Sequence, residues 1–128
     1  MNVEVNITEA TNVDRQGDPQ YALGNLEQAV YSLTVGEGNV RQRLLNAHSI
    51  LIAVFEDDFP EHLVEDWKWV QEQWTRFGPV MTPNGEVFLG SVENTLRRIR
   101  NRTGARIAVR LVTLRNDLRA YLAGSGND

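Results

Sequence analysis

The sequence predicts an all-α, single-domain protein: a four-helix bundle whose last helix is long and rich in arginine. Three observations carry this expectation. Over Ser91–Leu122 apolar residues recur at Val92, Leu96, Ile99, Ile107, Leu111, Leu114, Leu118 and Tyr121, with Thr103 in the one gap. Steps of three and four place them in one stripe on one helix face. Three earlier segments repeat the pattern at shorter length, each bounded by cap and breaker residues. Finally, 128 residues with 41% hydrophobic and 23% charged side chains suit one soluble globular domain with a real core.

Residues 1–17 are polar and end in Asp14-Arg15-Gln16-Gly17, with a brief alternation at Val3, Val5 and Ile7. An isolated strand has nothing to pair with, so this stretch is expected to be a loosely ordered arm. The bundle is expected over 18–122, with a flexible tail at 123–128. Its first helix, 18–34, begins at Asp18-Pro19, where aspartate can accept from free first-turn amides and proline loses no hydrogen bond. Leu23, Leu26, Val30 and Leu33 form its stripe, and Gly36 or Gly38 can close it in the left-handed conformation. Gly24 weakens it by about 1 kcal/mol relative to alanine, unless another backbone must approach there.

The second helix, 39–56, opens with Asn39 and Gln42 in capping-box register. Val40, Leu44, Leu45, Ala47, Ile50, Leu51, Ile52, Val54 and Phe55 cover more than half of its circumference, which predicts burial on several sides at the bundle centre. The third helix, 60–77, is expected to take Asp58 as its cap, with Glu61 in the first turn. Leu63, Trp67, Val70, Trp74 and Phe77 line one face, and Trp69 points the other way with His62, Asp66, Gln73 and Arg76. Gly78-Pro79 stops it. In the connection before the last helix, Pro83-Asn84-Gly85 marks a turn, and its apolar shoulders Val80, Met81, Val87 and Phe88 should fold it over one end of the bundle. Ser91 is a suitable cap for the fourth helix, 88–122. Gly104 is its weak point, and a kink or break would fall at Asn101–Gly104, but the stripe runs through without a phase jump and favours continuity. At 1.5 Å per residue, Ser91–Leu122 would span on the order of 48 Å, longer than its neighbours.

Composition narrows the chemistry. Cysteine is absent, which removes disulfides and thiolate sites, and two histidines, His48 and His62, cannot form an all-histidine metal cluster. No metal or cofactor is expected. The opening residues carry neither a basic nor an apolar signal region, and no apolar run approaches the ~20 residues of a membrane span. A cytoplasmic, non-membrane protein is therefore expected. The net charge of −4 hides a polarity: residues 1–96 hold five basic and fifteen acidic side chains, a balance of −10, whereas residues 97–128 hold eight and two, or +6. Such asymmetry means internal pairing or a binding surface.

Three groups of residues could carry function. Arg98, Arg102, Arg106 and Arg110 fall in steps of four, a ridge of roughly 18 Å along one helix face. Arginine suits bidentate contact with carboxylate or phosphate. The ridge drifts toward the apolar stripe, so Arg110 is expected to be buried beside Leu111 and Leu114 and to need a carboxylate. Glu61, Glu65 and Glu72, or Glu56, Asp57 and Asp58, are the candidates. An acidic pI near 5.2 and a single lysine count against nucleic acid as the partner. The second group is Trp69 with His62, on the polar side of its helix, where a tryptophan is a common interface anchor.

The third is Arg43-Leu44-Leu45-Asn46-Ala47-His48. An arginine and a histidine at this spacing resemble the short active-site motif of HEPN-type helical ribonucleases. The resemblance implies acid–base chemistry by His48, with Arg43 stabilising charge on phosphorus. That motif carries a polar residue directly after the arginine, where this chain has Leu44. Read from its own neighbours, His48 lies one turn from Leu44 and Leu51 and suits a core or boundary position. The expectation is thus a non-enzymatic interaction or regulatory protein, acting through a helix-mediated homodimer around Arg106–Leu122 or through another protein partner. The alternative is an RNA-directed helical nuclease or a nucleic-acid-binding module using the arginine ridge.

Overall fold

A computed structural model describes residues 17–126. The loosely ordered arm expected over 1–17 therefore lies, but for Gly17, outside the described residues. Among the described residues the fold is all-α but for one small hairpin. In chain order it comprises α1 (Pro19–Val35), α2 (Val40–Leu51), a 3₁₀ turn (Glu56–Asp58), α3 (Glu61–Trp74), strands β1 (Val80–Met81) and β2 (Val87–Leu89), α4 (Ser91–Arg98) and α5 (Asn101–Gly126). The helix α5 packs against α1, α2 and α3, and α4 bridges α2 and α3. The core is filled by residues from all five helices, with Leu26, Leu44, Val70, Trp74, Ile107, Leu111, Leu114 and Leu118 among its fully buried members.

Two helix starts follow the local chemistry of the sequence. The Asp18 side chain accepts from the Tyr21 amide at 3.1 Å, ahead of Pro19 in the first turn. Asn39 and Gln42 form the reciprocal capping box: Asn39 Oδ1 accepts from the Gln42 amide at 3.1 Å and Gln42 Oε1 from the Asn39 amide at 2.9 Å. Of the two glycines between these helices, Gly38 adopts positive φ and Gly36 is extended. Nothing lies within 4 Å of a Cβ built on Gly24. Gly24→Ala is therefore expected to raise stability by about 0.5–1 kcal/mol, read as an increase in denaturation midpoint.

Several expectations are corrected. The second helix ends at Leu51, not 56, and is not the buried centre: its buried residues are Leu44, Ala47 and Leu51, while Ile52 is 69% and Phe55 53% exposed. The chain leaves helical geometry after Ile52 so that Val54 and Phe59 enter the core and the 3₁₀ turn can form between them. By contrast, α5 has four fully buried stripe residues, Ile107, Leu111, Leu114 and Leu118. Asp58 does not cap α3, which begins after Pro60 without a side-chain cap. Its carboxylate is fully buried and already accepts the amides of Asp18 and Phe55. Nor does Ser91 cap its helix; Gly90 holds that position.

The turn at Pro83–Gly85 does form a hairpin, with Val80 opposite Leu89 and Met81 opposite Val87. Its shoulders are not folded over the bundle. Val80, Met81 and Val87 are exposed, and Phe88 is 73% exposed. The strands are too short to present an apolar face to the core, and the turn is held instead by its own bonds, Thr82 N to Glu86 O at 2.7 Å and Gly85 N to Thr82 O at 3.0 Å.

The long fourth helix is two helices. Ile99 is extended, and α5 starts afresh at Asn101. The break falls upstream of Gly104, which is helical and buried. A break strands carbonyl groups that a continuous helix would satisfy, and Arg41 of α2 meets them. It donates to Ile99 O at 3.0 Å, reaches Arg97 O at 3.5 Å, and binds Asn101 Oδ1 at 3.0 Å. Gly104 lets α2 pack closely on α5: a Cβ there would stand 3.1 Å from Val40 Cγ1. The glycine thus serves packing, not a kink.

At ~1.5 Å per residue the 26 residues of α5 extend about 39 Å. Its stripe, Ile107, Leu111, Leu114 and Leu118, is nevertheless fully buried within the one chain, and Leu122 packs against the same core. Tyr121, the last member of the stripe, is 40% exposed, so little of the stripe is left open over Arg106–Leu122 for a second copy of the chain. No helix among the described residues is long and apolar enough to cross a membrane.

Candidate partner-binding surface

The arginines of the C-terminal third separate into those with a neighbour that holds them and those without. Arg97 pairs with Glu93 one turn back at 2.9 Å, and Arg119 with Glu27 of α1. Arg98, placed on α4 by the break, lies over the Phe77 ring at 4.6 Å and so leaves the ridge that its spacing implied. Arg110 is held from two sides by α3. Its Nη1 donates to Asp66 Oδ1 at 3.0 Å, and its guanidinium carbon stands 4.3 Å from the centroid of the Trp69 ring.

Asp66 was not among the carboxylates expected to meet the ridge. The signal was present all the same, because Asp66 and Trp69, three residues apart, share the face of α3 that looks away from the core. Nor is Arg110 buried against the stripe as expected: its side chain is 36% and that of Asp66 32% exposed. An ion pair this open is worth about 0–1 kcal/mol, to which the ring contact adds ~0.5–1 kcal/mol. Arg110→Ala is accordingly expected to cost about 1–2 kcal/mol and Arg98→Ala under ~1 kcal/mol, a smaller gap than a buried pair would produce. Paired chemical denaturation of the two variants reads it directly, and equal losses would count against this assignment.

Like the exposed Arg100 just before α5, Arg102 and Arg106 belong to the second group. Both are exposed, and among the described residues neither makes an ion pair or a side-chain hydrogen bond. With Trp69, Ala105, Val109 and Arg110 they line an open cleft along the α3–α5 seam. Val109 is 64% exposed in this cleft, and Trp69 is half-buried, one side of it packed against the core. Farther along the seam His62 stacks at a tilt on Tyr121, with 5.5 Å between ring centroids. The sequence-predicted residues Trp69, Arg102, Arg106 and Arg110 are therefore brought together. His62 lies on the same helix face but meets a different neighbour, and Arg98 stands apart.

Arg43 and His48 are engaged by different elements. Arg43 Nη1 donates to the Leu33 carbonyl at 2.7 Å, and so binds the C-terminal turn of α1. His48 is half-buried and meets the Trp74 ring edge-on at 5.1 Å. Burial disfavours its imidazolium and lowers its pKa below 6.5. Between that lowered value and 6.5 the unfolded chain binds more protons at this site than the folded one, so stability rises with pH there. The contribution of His48 is thus full above 6.5 and is lost as the pH falls through it, until the folded group also protonates. Urea midpoints on either side of this window should show the decline, and His48→Leu should remove part of it.

Among the described residues no group of three or more His, Cys, Asp or Glu side chains could hold a metal ion. Comparison with protein-family models, with curated proteins and with solved structures finds no match for the chain.

Proposed function

We propose that this chain is a non-enzymatic interaction protein that binds a protein partner across the α3–α5 seam. The observation that carries the reading is the cleft in which a half-buried tryptophan stands beside two arginines without ion-pair partners among the described residues. Tryptophan and arginine are the side chains most often found at the energetic centre of protein interfaces. Here Asp66 and Arg110 hold the tryptophan face in place before any partner arrives, so less conformational freedom is lost on binding. The interface lies on the open side of α5 and not on its apolar stripe, which the chain covers by itself.

A photo-crosslinking residue in place of Val109 tests this in cells, with the same residue at exposed Gln20 of α1 as the control. The expected result is a discrete protein adduct at Val109 that is absent at Gln20 and is lost in the Trp69→Ala background. A nuclease-sensitive adduct, or equal adducts at both positions, would overturn the reading, the former in favour of nucleic acid.

A further inference from the structure

The cleft at the α3–α5 seam has a definite chemical pattern. Arg102 and Arg106 are one helical turn apart, about 6 Å along the axis, and both are exposed. Their like charges are brought close with no carboxylate between them among the described residues. Val109 and the uncovered part of Trp69 supply an apolar floor in the same cleft. The anion that relieves this arrangement needs two negative groups at about 6 Å with apolar surface beside them. Acidic side chains at i and i+4 of a helix meet that spacing, as do those at i and i+2 of a strand, about 6.6 Å apart.

We propose that the cleft receives a short acidic segment of the partner protein, its two carboxylates on Arg102 and Arg106 and a neighbouring apolar side chain against Trp69 and Val109. The proposal rests on the reading of this seam as a protein-binding surface. A peptide suits the site better than a nucleic-acid strand. Arg110 is already partly neutralised by Asp66, so the cleft offers two free guanidinium groups, and a strand needs several phosphate contacts for useful affinity. Such a strand would also enter the field of a chain with net charge −4.

Selection from a randomised peptide display library, run in parallel on the full chain and on Arg102→Glu/Arg106→Glu, tests the assignment. Both substituted side chains are exposed, so folding should survive, and circular dichroism checks it. Peptides retained by the parent and lost on the variant should carry paired Asp or Glu at one of the two spacings, next to an apolar residue. For a peptide so selected, Arg106→Gln should weaken binding by about tenfold or more, as expected for loss of a charge-assisted contact. Cleft-dependent peptides without acidic enrichment would overturn the proposal while leaving the protein-binding reading in place. Failure to select any cleft-dependent peptide would overturn it too, and an absent Val109 adduct would then remove the underlying reading as well. A doubled solution mass abolished by Arg102→Glu would replace the peptide with a second copy of the chain.

Discussion

Asp58→Ala is expected to destabilise the fold by about 3–5 kcal/mol, one of the two largest effects of a single substitution in this chain. Asp58 is fully buried and stands between segments forty residues apart. Its Oδ1 accepts from the Asp18 amide at 3.0 Å, and its Oδ2 from the Phe55 amide at 2.8 Å. Asp18 in turn caps α1, so one carboxylate holds the entry to the first helix against the turn that precedes the third. The approach is close: a Cβ on Gly17 would collide with the Asp57 carbonyl oxygen. Alanine would remove from two part-buried amides the charged acceptor that ties these segments together. Each bond to a charged acceptor is worth ~1.5–3 kcal/mol, so the loss of two gives the expected range. Asp58→Asn keeps one acceptor oxygen and should lose roughly half as much. Denaturant midpoints of the two variants decide the matter; a loss under ~1 kcal/mol for alanine would mean that the amides find other partners.

This residue also marks where the sequence stopped being legible. Asp58 stands just before Pro60, in a position where aspartate usually caps a helix, and the local chemistry offers no sign of contacts forty residues away. Arg41 is a similar case: nothing in its own neighbourhood announces that it will bind Ile99 and Asn101. What the spacing did report was burial. Leu96, Ile99 and Ile107 are all buried as the stripe requires, yet Ile99 is extended and the helix is broken beside it. Periodicity records which side chains face the core and is blind to one residue whose backbone changes while its side chain stays inside. The caps at Asp18 and Asn39 were readable because donor, acceptor and spacer lie within four residues. The cleft was readable in part for a similar reason. The steps of four in the arginines and of three from Asp66 to Trp69 each define a face, but no local rule says that the two faces meet.

The second large effect is expected from Trp74→Ala, and its contrast with Trp69→Ala separates folding from binding on one helix. Trp74 is fully buried, donates its indole N–H to Gln71 Oε1 at 3.2 Å, and receives the edge of His48. Truncation removes the largest fully buried side chain in the core and leaves a cavity that the surrounding core can close only partly. The expected cost is about 3–5 kcal/mol. Water entering that space would also relieve the desolvation of His48, so its pKa should return toward 6.5. Imidazole proton resonances followed against pH would register the change. Trp69 lies on another side of the helix, half in solvent, with one side against the core and its ring under the Arg110 guanidinium. Its removal should cost about 1–2 kcal/mol, the sum of one cation–π contact and some lost packing. Yet Trp69→Ala, and not a mild core substitution of equal thermodynamic cost such as Ile107→Val, should abolish the adduct formed at Val109. If the two variants weaken that adduct equally, the cleft owes its binding to overall stability, and the tryptophan is merely part of the fold.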